Sequence, residues 1–420
     1  MKIFKNQLFA RLFFASCASQ LGTTIGNMAF AFYLLDRFSK QPYLATLAEL
    51  MYALPTLFVF FVVGVAADRM DRKKIAENSD WIRAGLTVLL LAAVWFQSLF
   101  FIFLILFVRS AVAKFFAPAE MSLLQGILDK EEYMQASGLN QAVMGMFMLF
   151  GMGLGALSYR YLGMEGAIVI DGVSFIISAI LIRSCAIPME VRLPNGKTRV
   201  KDLDLRNVLS DFRKGIVYVL NFKLLLAIIF GFFVFGLVNG GFAVLPIFTM
   251  KYKLAPDSYE LYTSLFSILL GIGFITGSAI SNKLIQKLQP YRVIIFGIFL
   301  MGAGTAVLGF IANIWLYLAF VLIVGIIIAP VNVALSGWMN ELVDPKFMGR
   351  VTAWIDPFMM FAHSLALGII AAVFPNWISV DTLYYAIGIS MVGISFYYLA
   401  VLPRMVRAEQ RASLQNEMPV

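Results

Sequence analysis

The sequence predicts an all-α membrane protein whose twelve transmembrane helices form two pseudo-symmetric six-helix bundles. Composition gives the first reason: 14% of the 420 residues are charged, whereas about 25% is usual in a soluble protein. The second reason is the length of the apolar stretches, which are long enough to cross a ~30 Å hydrocarbon core as helices. The third reason is a similarity between the two halves of the chain.

Twelve apolar stretches are predicted to be membrane spans, and they are called span one to span twelve in chain order. The third is short, and its start is predicted nearer Asp80 than Ile82. The first six predicted spans are Ala10–Leu34, Tyr43–Ala67, Ile82–Trp95, Leu99–Glu120, Gly138–Tyr161 and Gly166–Ala186. The last six are Leu224–Phe248, Leu261–Ile280, Val293–Ile311, Trp315–Trp338, Val351–Phe374 and Leu383–Leu402.

The two halves carry matching residues at a nearly constant offset. Pro118 stands in an Ala-Pro-Ala triplet at the end of span four, and Pro330 in an Ala-Pro-Val triplet of span ten, 212 residues later. Gly64 at the end of span two matches Gly277 at the end of span eight, 213 residues later. These matches predict a duplication, by which transporters place a substrate site between two similar halves. The predicted parts are an N-terminal bundle 1–187, a cytoplasmic linker 188–214, a C-terminal bundle 215–404 and a cytoplasmic tail 405–420.

The distribution of basic residues predicts the orientation in the membrane. With a cytoplasmic N-terminus, the inner segments hold 23 Lys and Arg and the outer segments hold five, as the positive-inside rule requires. Both termini are therefore predicted to be cytoplasmic. The basic linker between the halves is predicted to form an amphipathic surface helix over Leu203–Lys214. Orientation and anionic lipid account for the net charge of +9, so no nucleic-acid partner is predicted.

Several function classes are disfavoured by residues that the chain lacks. Two cysteines on different spans and one histidine, His363, offer neither a disulfide framework nor a metal site. The sequence has no phosphate-binding loop and no soluble segment large enough for an ATPase. Uphill transport by this chain would therefore use an ion gradient, and no cofactor is expected.

The densest charge in the chain follows span two, in the loop sequence GVAADRMDRKK. A helix C-terminus leaves carbonyl groups unsatisfied, so basic residues are favourable there, and they also hold the loop in the cytoplasm. That account leaves one acid, Asp68, unexplained, because an acid at a helix C-terminus is unfavourable unless it is paired. The loop is therefore a candidate gating element, with the residues Gly64, Asp68, Arg69, Arg72, Lys73 and Lys74.

The spacing of this loop and the six-plus-six layout resemble the major facilitator superfamily, and the layout covers the whole chain. Arg109 followed by Ser in span four, IVIDGVSF around Asp171 and GRV at Gly349 are similar to the drug-efflux branch that includes bacterial macrolide exporters. The resemblance implies that Asp68 and Arg72 form a latch between helices two and eleven that steadies the outward-facing state. An acid at the inner end of span four often completes this latch in the family. Gln125 and Gly126 occupy that place here.

The resemblance implies a function as well as a fold. It implies proton-coupled efflux of lipophilic or amphipathic, macrolide-like compounds by alternating access in the bacterial cytoplasmic membrane. The expected partners are a small amphipathic substrate, protons and membrane lipids, and the expected state is a monomer. An exporter of a dedicated metabolite, such as a siderophore or a lipid, is the alternative within transport. A polytopic membrane enzyme or a non-transporting receptor is the alternative from other classes, although no paired acids stand at catalytic spacing.

Span five carries several glycines, among them Gly145, Gly151 and Gly155. Small residues four apart on a helix permit close packing, and the exporters of the family carry a Gly-rich motif with a proline here. Met152 stands where that proline is expected. Ordinary helix packing and an antiporter motif are both open interpretations of these glycines.

Three charged residues are predicted to lie at similar depth in the first bundle: Glu49 in span two, Arg109 in span four and Asp171 in span six. A charge at mid-membrane costs roughly 2.5 to 3.5 kcal/mol, so it normally faces a cavity or a partner. Proton or substrate coupling is the interpretation favoured for Glu49 and Arg109. For Asp171, an ion pair that fixes the register of the helices is favoured over a coupling role.

Overall fold

The computed structural model describes residues 2–193, 223–342 and 345–416, and every regular element in these ranges is a helix. The described chain divides into two compact units, Met1–Leu203 and Asp204–Val420. The predicted surface helix Leu203–Lys214 and most of the predicted linker lie outside the described residues. The division of the chain into four predicted parts therefore stays a prediction.

The N-terminal unit contains spans one to six. Span one is Gln7–Arg37, span two is Tyr43–Ala53 with Pro55–Arg69, and span three is Arg72–Trp95. Span four is Leu99–Ala113 with Phe116–Ile127, and spans five and six are the two helices that meet at Gly163 within Lys130–Arg183. A short 3-10 helix, Lys2–Lys5, precedes these spans, and a one-turn helix, Met189–Arg192, follows them.

Spans two and four are each interrupted near a proline. Pro55 is the first residue of the second helix of span two, a position where its missing N–H costs nothing. In span four the backbone N–H groups of Lys114 and Phe115 bond to carbonyls three residues back. Pro118 follows in the first turn of the next helix, so it cannot donate to the carbonyl of Lys114 and the break is favoured at this point.

The first turns of span three are polar, which explains an error in its predicted start. The helix begins at Arg72 and not near Asp80, because the side chain of Asp71 caps it by accepting the backbone N–H of Lys74 at 3.2 Å. Capping lets a polar segment form the first turns of the helix, and an apolar-stretch criterion does not detect such a segment.

Spans five and six reverse direction at a single residue, Gly163. Gly151 faces Thr24 and Gly155 faces Met28, so span five runs parallel to span one. Asp171 lies against Gly26, whereas Ser174, later in the chain, lies against the earlier Gly22. Span six therefore runs antiparallel to span one. Gly163 has φ 68° and ψ −174°, which glycine adopts without the penalty that a Cβ would impose.

The glycines predicted to pack span five divide into two groups. A Cβ added at Gly151 or Gly155 would overlap Thr24 or Met28, so both glycines bring spans one and five close together. A Cβ added at Gly145 would meet no atom of the described residues within 4 Å. The prediction that Gly145 packs against a neighbouring helix is therefore corrected for this unit.

The C-terminal unit contains spans seven to twelve. They are Lys223–Thr249, Tyr259–Leu288, Pro290–Phe310, Ile314–Leu342, Pro345–Val373 and Val380–Asn416. A π-helical turn, Met250–Leu254, extends span seven. Gly277 packs on the backbone of span ten at Ile326. Pro330 lies inside an unbroken helix, so its local geometry differs from that of Pro118 in the other half.

The described helices are consistent with twelve membrane spans in two bundles of six. Nine segments in the described ranges are long and apolar enough to cross a membrane, and one of them, Phe150–Arg183, contains the reversal at Gly163 and so includes parts of both span five and span six. Spans one and three fall outside that set because polar and charged residues interrupt their apolar sequence. Those interruptions form the candidate site.

Candidate functional site: buried charges in the N-terminal bundle

A buried ion pair between Arg109 and Asp171 lies at the centre of the N-terminal unit. Arg109 is 5% exposed and Asp171 is 0% exposed, and the NH1 group of Arg109 donates to Oδ2 of Asp171. Arg109 also donates to Asn27 Oδ1 at 3.2 Å and to Thr87 Oγ1 at 3.4 Å. One guanidinium therefore joins spans one, three, four and six.

The Asp171 carboxylate fits against span one because Gly26 has no side chain. A Cβ at Gly26 would lie 3.0 Å from Oδ2 and 3.1 Å from Cγ of Asp171. Gly22, one turn earlier, gives the same space to Ser174. Sequence reasoning missed both glycines, although their spacing of four residues is the pattern that permits close helix contact.

Glu49, the third predicted member, takes no part in this pair. It is partly exposed and forms no hydrogen bond or ion pair within the described ranges. The side-chain hydroxyls of Thr46, Tyr52 and Thr56 are also buried, and they have no hydrogen-bond partner in that part of the chain. Spacings of three and four residues place all four side chains on one face of span two. The structure therefore pairs Arg109 with Asp171 and leaves Glu49 outside the pair, on a polar face whose Tyr52 lies near Glu49 and near both members of the pair.

A second buried ion pair, between Asp80 and Arg83, was missed entirely by sequence reasoning. Arg83 NH1 contacts Asp80 Oδ1 at 3.0 Å, and both residues are buried. Ser19 Oγ donates to Asp80 Oδ1 at 3.0 Å and accepts from Arg83 at 2.9 Å. Arg83 also donates to Thr23 and lies 3.8 Å from the ring centroid of Phe175. The i, i+3 spacing of the acid and the base was the available signal.

Glu120 is a third buried acid, in the second helix of span four. Ser16 Oγ donates to Glu120 Oε2 at 2.8 Å, and Gln20 Nε2 donates to Ser16 Oγ at 2.9 Å. From the sequence alone, its position near the cytoplasmic end of the span predicts that Glu120 lies at the membrane interface or anchors a loop. The structure corrects that expectation, because the side chain is buried inside the bundle.

Span one contacts the five buried charged residues Asp80, Arg83, Arg109, Glu120 and Asp171 along one side, which we call the polar seam. The seam comprises Ser16, Ser19, Gln20, Thr23 and Asn27, which recur every three or four residues. At a rise of 1.5 Å per residue, the seam extends for about 16 Å along the helix. Successive turns of span one therefore contact Glu120, the Asp80–Arg83 pair and the Arg109–Asp171 pair.

Buried charge is unequally divided between the two units. In the described ranges, all buried charged side chains belong to the N-terminal unit, whereas the buried polar residues of the C-terminal unit carry hydroxyls. An example is the chain in which Tyr317, Tyr384 and Thr249 are linked at 2.6 Å and 3.0 Å. No group of acids, histidines or cysteines in those ranges could hold a metal ion. Charge-dependent chemistry is therefore available in the first bundle.

The loop after span two is described in part. The side chains of Gly64, Asp68 and Arg69 lie outside the described set, so the proposed latch stays a prediction. Arg72 and Lys74 lie in the first turn of span three. Lys73 Nζ donates to the carbonyls of Arg183 and Cys185 at 2.8 Å each, which satisfies the C-terminal end of span six.

The chain belongs to the Major Facilitator Superfamily, which it matches over residues 12–367. Proteins of this family are membrane transporters and not enzymes. The chain is 55% identical over 405 residues to the Bacillus subtilis (strain 168) protein named "Uncharacterized MFS-type transporter YkuC", covering 96% of this chain and 94% of that protein. Macrolide efflux protein A of Streptococcus pyogenes is 24% identical over 395 residues, which cover 92% of this chain and 94% of that protein.

Solved structures support the same fold. The POT family transporter PepTSo has a TM-score of 0.74 at 12% identity, covering 96% of this chain and 98% of that chain. A bacterial homologue of the iron transporter ferroportin has a TM-score of 0.73 at 13% identity, with 94% and 98% covered. At these identities the likeness concerns the fold alone.

Proposed function

We propose that this transporter is a proton-coupled exporter of lipophilic or amphipathic, macrolide-like molecules. It works as a monomer by alternating access in the bacterial cytoplasmic membrane. The observation that carries the proposal is the buried Arg109–Asp171 pair in the same bundle as Glu49, an acid without an ion-pair partner in the described ranges. The similarity to macrolide efflux protein A supports the substrate class.

Glu49 is the proposed exchange point between proton and substrate. An isolated carboxylate within the membrane is costly, so it favours either a proton or a ligand group that compensates its charge. Arg109 is already neutralised by Asp171 and does not compensate Glu49. Proton and substrate therefore compete for Glu49, and each binding event shifts the population between the two access states.

Uptake into inverted vesicles tests this proposal, with radiolabelled erythromycin as the probe. We expect uptake driven by an imposed pH gradient, and its loss when an uncoupler is added. Glu49→Gln should retain erythromycin exchange without a gradient and lose at least tenfold of the gradient-driven uptake. Arg109→Ala should lose both activities, because it leaves the buried Asp171 unpaired.

The outcomes separate the parts of the proposal. Unmodified protein without gradient-driven uptake would contradict proton-coupled macrolide export. Full gradient-driven uptake by Glu49→Gln would make Glu49 a structural residue, and Asp171 would be the next proton carrier to test.

The proposed orientation places both termini in the cytoplasm. A cysteine introduced at Ser39 should react with an impermeant thiol reagent added to intact cells, and one introduced at Asn195 should not. Cys17 and Cys185 are replaced first, so that the reagent reports only on the introduced thiol. The reverse labelling pattern would contradict this orientation.

A further inference from the structure

We propose that Asp80 is a second proton-binding residue, through which the coupling proton passes between the Arg109–Asp171 pair and the predicted cytoplasmic end of the bundle. Arg83 is its positioning residue. This inference rests on the proposed proton coupling and adds a site that the coupling residues do not include.

The hydrogen bonds of Asp80 leave one oxygen available. Oδ1 contacts Arg83 at 3.0 Å and accepts from Ser19 at 3.0 Å. Oδ2 is buried and forms no hydrogen bond of normal geometry in the described part of the chain, although the Ser178 hydroxyl lies close to the carboxylate. A buried carboxylate oxygen without a full hydrogen bond is costly. A proton on Oδ2 neutralises that buried charge while Oδ1 keeps its contacts, and the Ser178 hydroxyl is the nearby group that could accept the new O–H.

Arg83 keeps other contacts when Asp80 is neutral. Its guanidinium donates to Ser19 and Thr23 and lies over the face of Phe175, a cation–π contact. In an ion pair that serves only structure, neutralising the acid would leave the buried base uncompensated. Here two hydroxyls and a ring continue to hold Arg83, so protonation of Asp80 is compatible with the fold.

Asp80 lies between two other buried acids along the polar seam. Towards Asp171, the Thr87 hydroxyl donates to the backbone carbonyl of Arg83 at 2.9 Å and accepts from Arg109 at 3.4 Å, so Thr87 lies between the two ion pairs. Towards the predicted cytoplasmic end, Glu120 is close enough for its charge to repel that of Asp80. Glu120 Oε1 and Asp171 Oδ1 also have no hydrogen-bond partner within the described ranges. Each of these three acids therefore has one oxygen that can accept a proton.

The transfer moves one proton and changes no other bond. The O–H bond of one carboxylic acid breaks, an O–H bond forms on the next carboxylate, and water or a seam hydroxyl bridges the gap. The charged groups that act on Asp80 are Arg83 on its own span and Glu120 on span four. Lys114, Arg109 and Asp171, on spans four and six, lie near Arg83. Arg83 stays charged throughout and holds Asp80 in line with the seam.

Erythromycin uptake in inverted vesicles, using the full-length protein, tests the role of Asp80. Asp80→Asn is expected to lose at least tenfold of gradient-driven uptake while erythromycin exchange without a gradient stays within about twofold. Asp80→Glu should restore gradient-driven uptake with a shifted pH profile, since it keeps a titratable group. Glu165→Gln, which removes an exposed acid of the same unit, is the matched control and should behave like the unmodified protein.

The double variant Asp80→Asn with Arg83→Gln distinguishes proton transfer from a structural ion pair. It removes both charges, so no buried base is left without a partner, and it should fold and exchange erythromycin but lack gradient-driven uptake. Recovery of gradient-driven uptake in the double variant would overturn the inference, because only the balance of charge would then matter. Full gradient-driven uptake by Asp80→Asn would also overturn it and leave the proposed function intact. Absence of gradient-driven uptake by the unmodified protein would overturn the proposed function and this inference together.

Discussion

Arg192 binds the carboxylate of Asp71 through two guanidinium nitrogens, although 121 residues separate them in the sequence. Nε donates to Oδ1 at 3.1 Å and NH2 donates to Oδ2. The pair joins the loop after span two to the short helix after span six. Two connections at one end of the N-terminal bundle are thereby held together.

The Asp71–Arg192 contact should persist from neutral to mildly acidic pH. Burial alone would raise the pKa of Asp71, but hydrogen bonds from Arg192 and the Lys74 backbone, together with their charges, lower it below 3.8. Because the folded-state pKa is lowered, the stabilisation is present above 3.8 and is lost as the pH falls through the lowered pKa. Hydrogen exchange of segment 189–193 should therefore show the same protection at pH 7 and pH 5.

Removing the Arg192 side chain should release the segment after span six. Arg192→Ala is expected to increase hydrogen exchange of segment 189–193 about tenfold at pH 7, since hydrogen bonds to charged groups contribute roughly 1.5–3 kcal/mol. Glu190→Ala is the matched control, because Glu190 is an exposed residue of the same short helix. Equal protection in both variants would show that Arg192 does not hold this segment.

A methyl group at Gly26 should disturb the central ion pair. Gly26→Ala places a Cβ about 3 Å from the Asp171 carboxylate, and overpacking of this kind typically costs about 1–3 kcal/mol. We expect a lower Tm and a several-fold loss of gradient-driven uptake. Gly85→Ala is the control, since its Cβ would meet no atom of the described residues within 4 Å. Similar Tm values for the two variants would contradict the close fit at Gly26.

The glycines of span five should differ in their tolerance of alanine. Gly155→Ala would overlap Met28 and separate spans one and five, at a cost of about 1–3 kcal/mol in the free energy of unfolding. Gly145→Ala should leave Tm unchanged or slightly raised, since alanine is the better helix former. Thermal unfolding of the purified protein in detergent measures both effects. Equal loss of stability would restore the packing role that the sequence predicts for Gly145.

The proposed latch at Asp68 gives a separate prediction about gating. Asp68→Asn should leave expression and membrane insertion intact, because it preserves shape and removes one acid from the loop. It should reduce transport and increase the inward-facing population, which a conformation-sensitive label can report. Normal transport by Asp68→Asn would exclude the gating role.

The membrane spans could be predicted because a long apolar stretch is stable mainly as a helix that crosses the membrane. The fold class is confirmed, and one boundary error with a clear physical cause lies in span three, where Asp71 caps a polar first segment. An apolar-stretch criterion treats Asp80 and Arg83 as the edge of a span, whereas the folded chain buries them against Ser19. The burial of Asp80 and Arg83 depends on contacts with another helix, and a local sequence pattern carries no information about such contacts.

The candidate site was predicted in part. Mid-membrane charge singled out Arg109 and Asp171, and the structure pairs them. The same criterion does not say which of the two acids pairs with Arg109, so an ion pair between Arg109 and Glu49 was an equally possible prediction. Gly26 settles part of that choice, because the space it leaves is filled by Asp171. An absent side chain is hard to recognise from a single sequence.

The reversal at Gly163 leaves spans five and six without a loop between them. Tyr161 and Leu162, just before the turn, are exposed, and Gly163 is the one residue of this connection with non-helical backbone dihedral angles. A protease or an inserted epitope needs an extended segment, and this connection provides none. Limited proteolysis should therefore not cleave between these spans, although Tyr161 and Leu162 are exposed there. The segments after span one and span three are the places where tags and cleavage sites can be inserted.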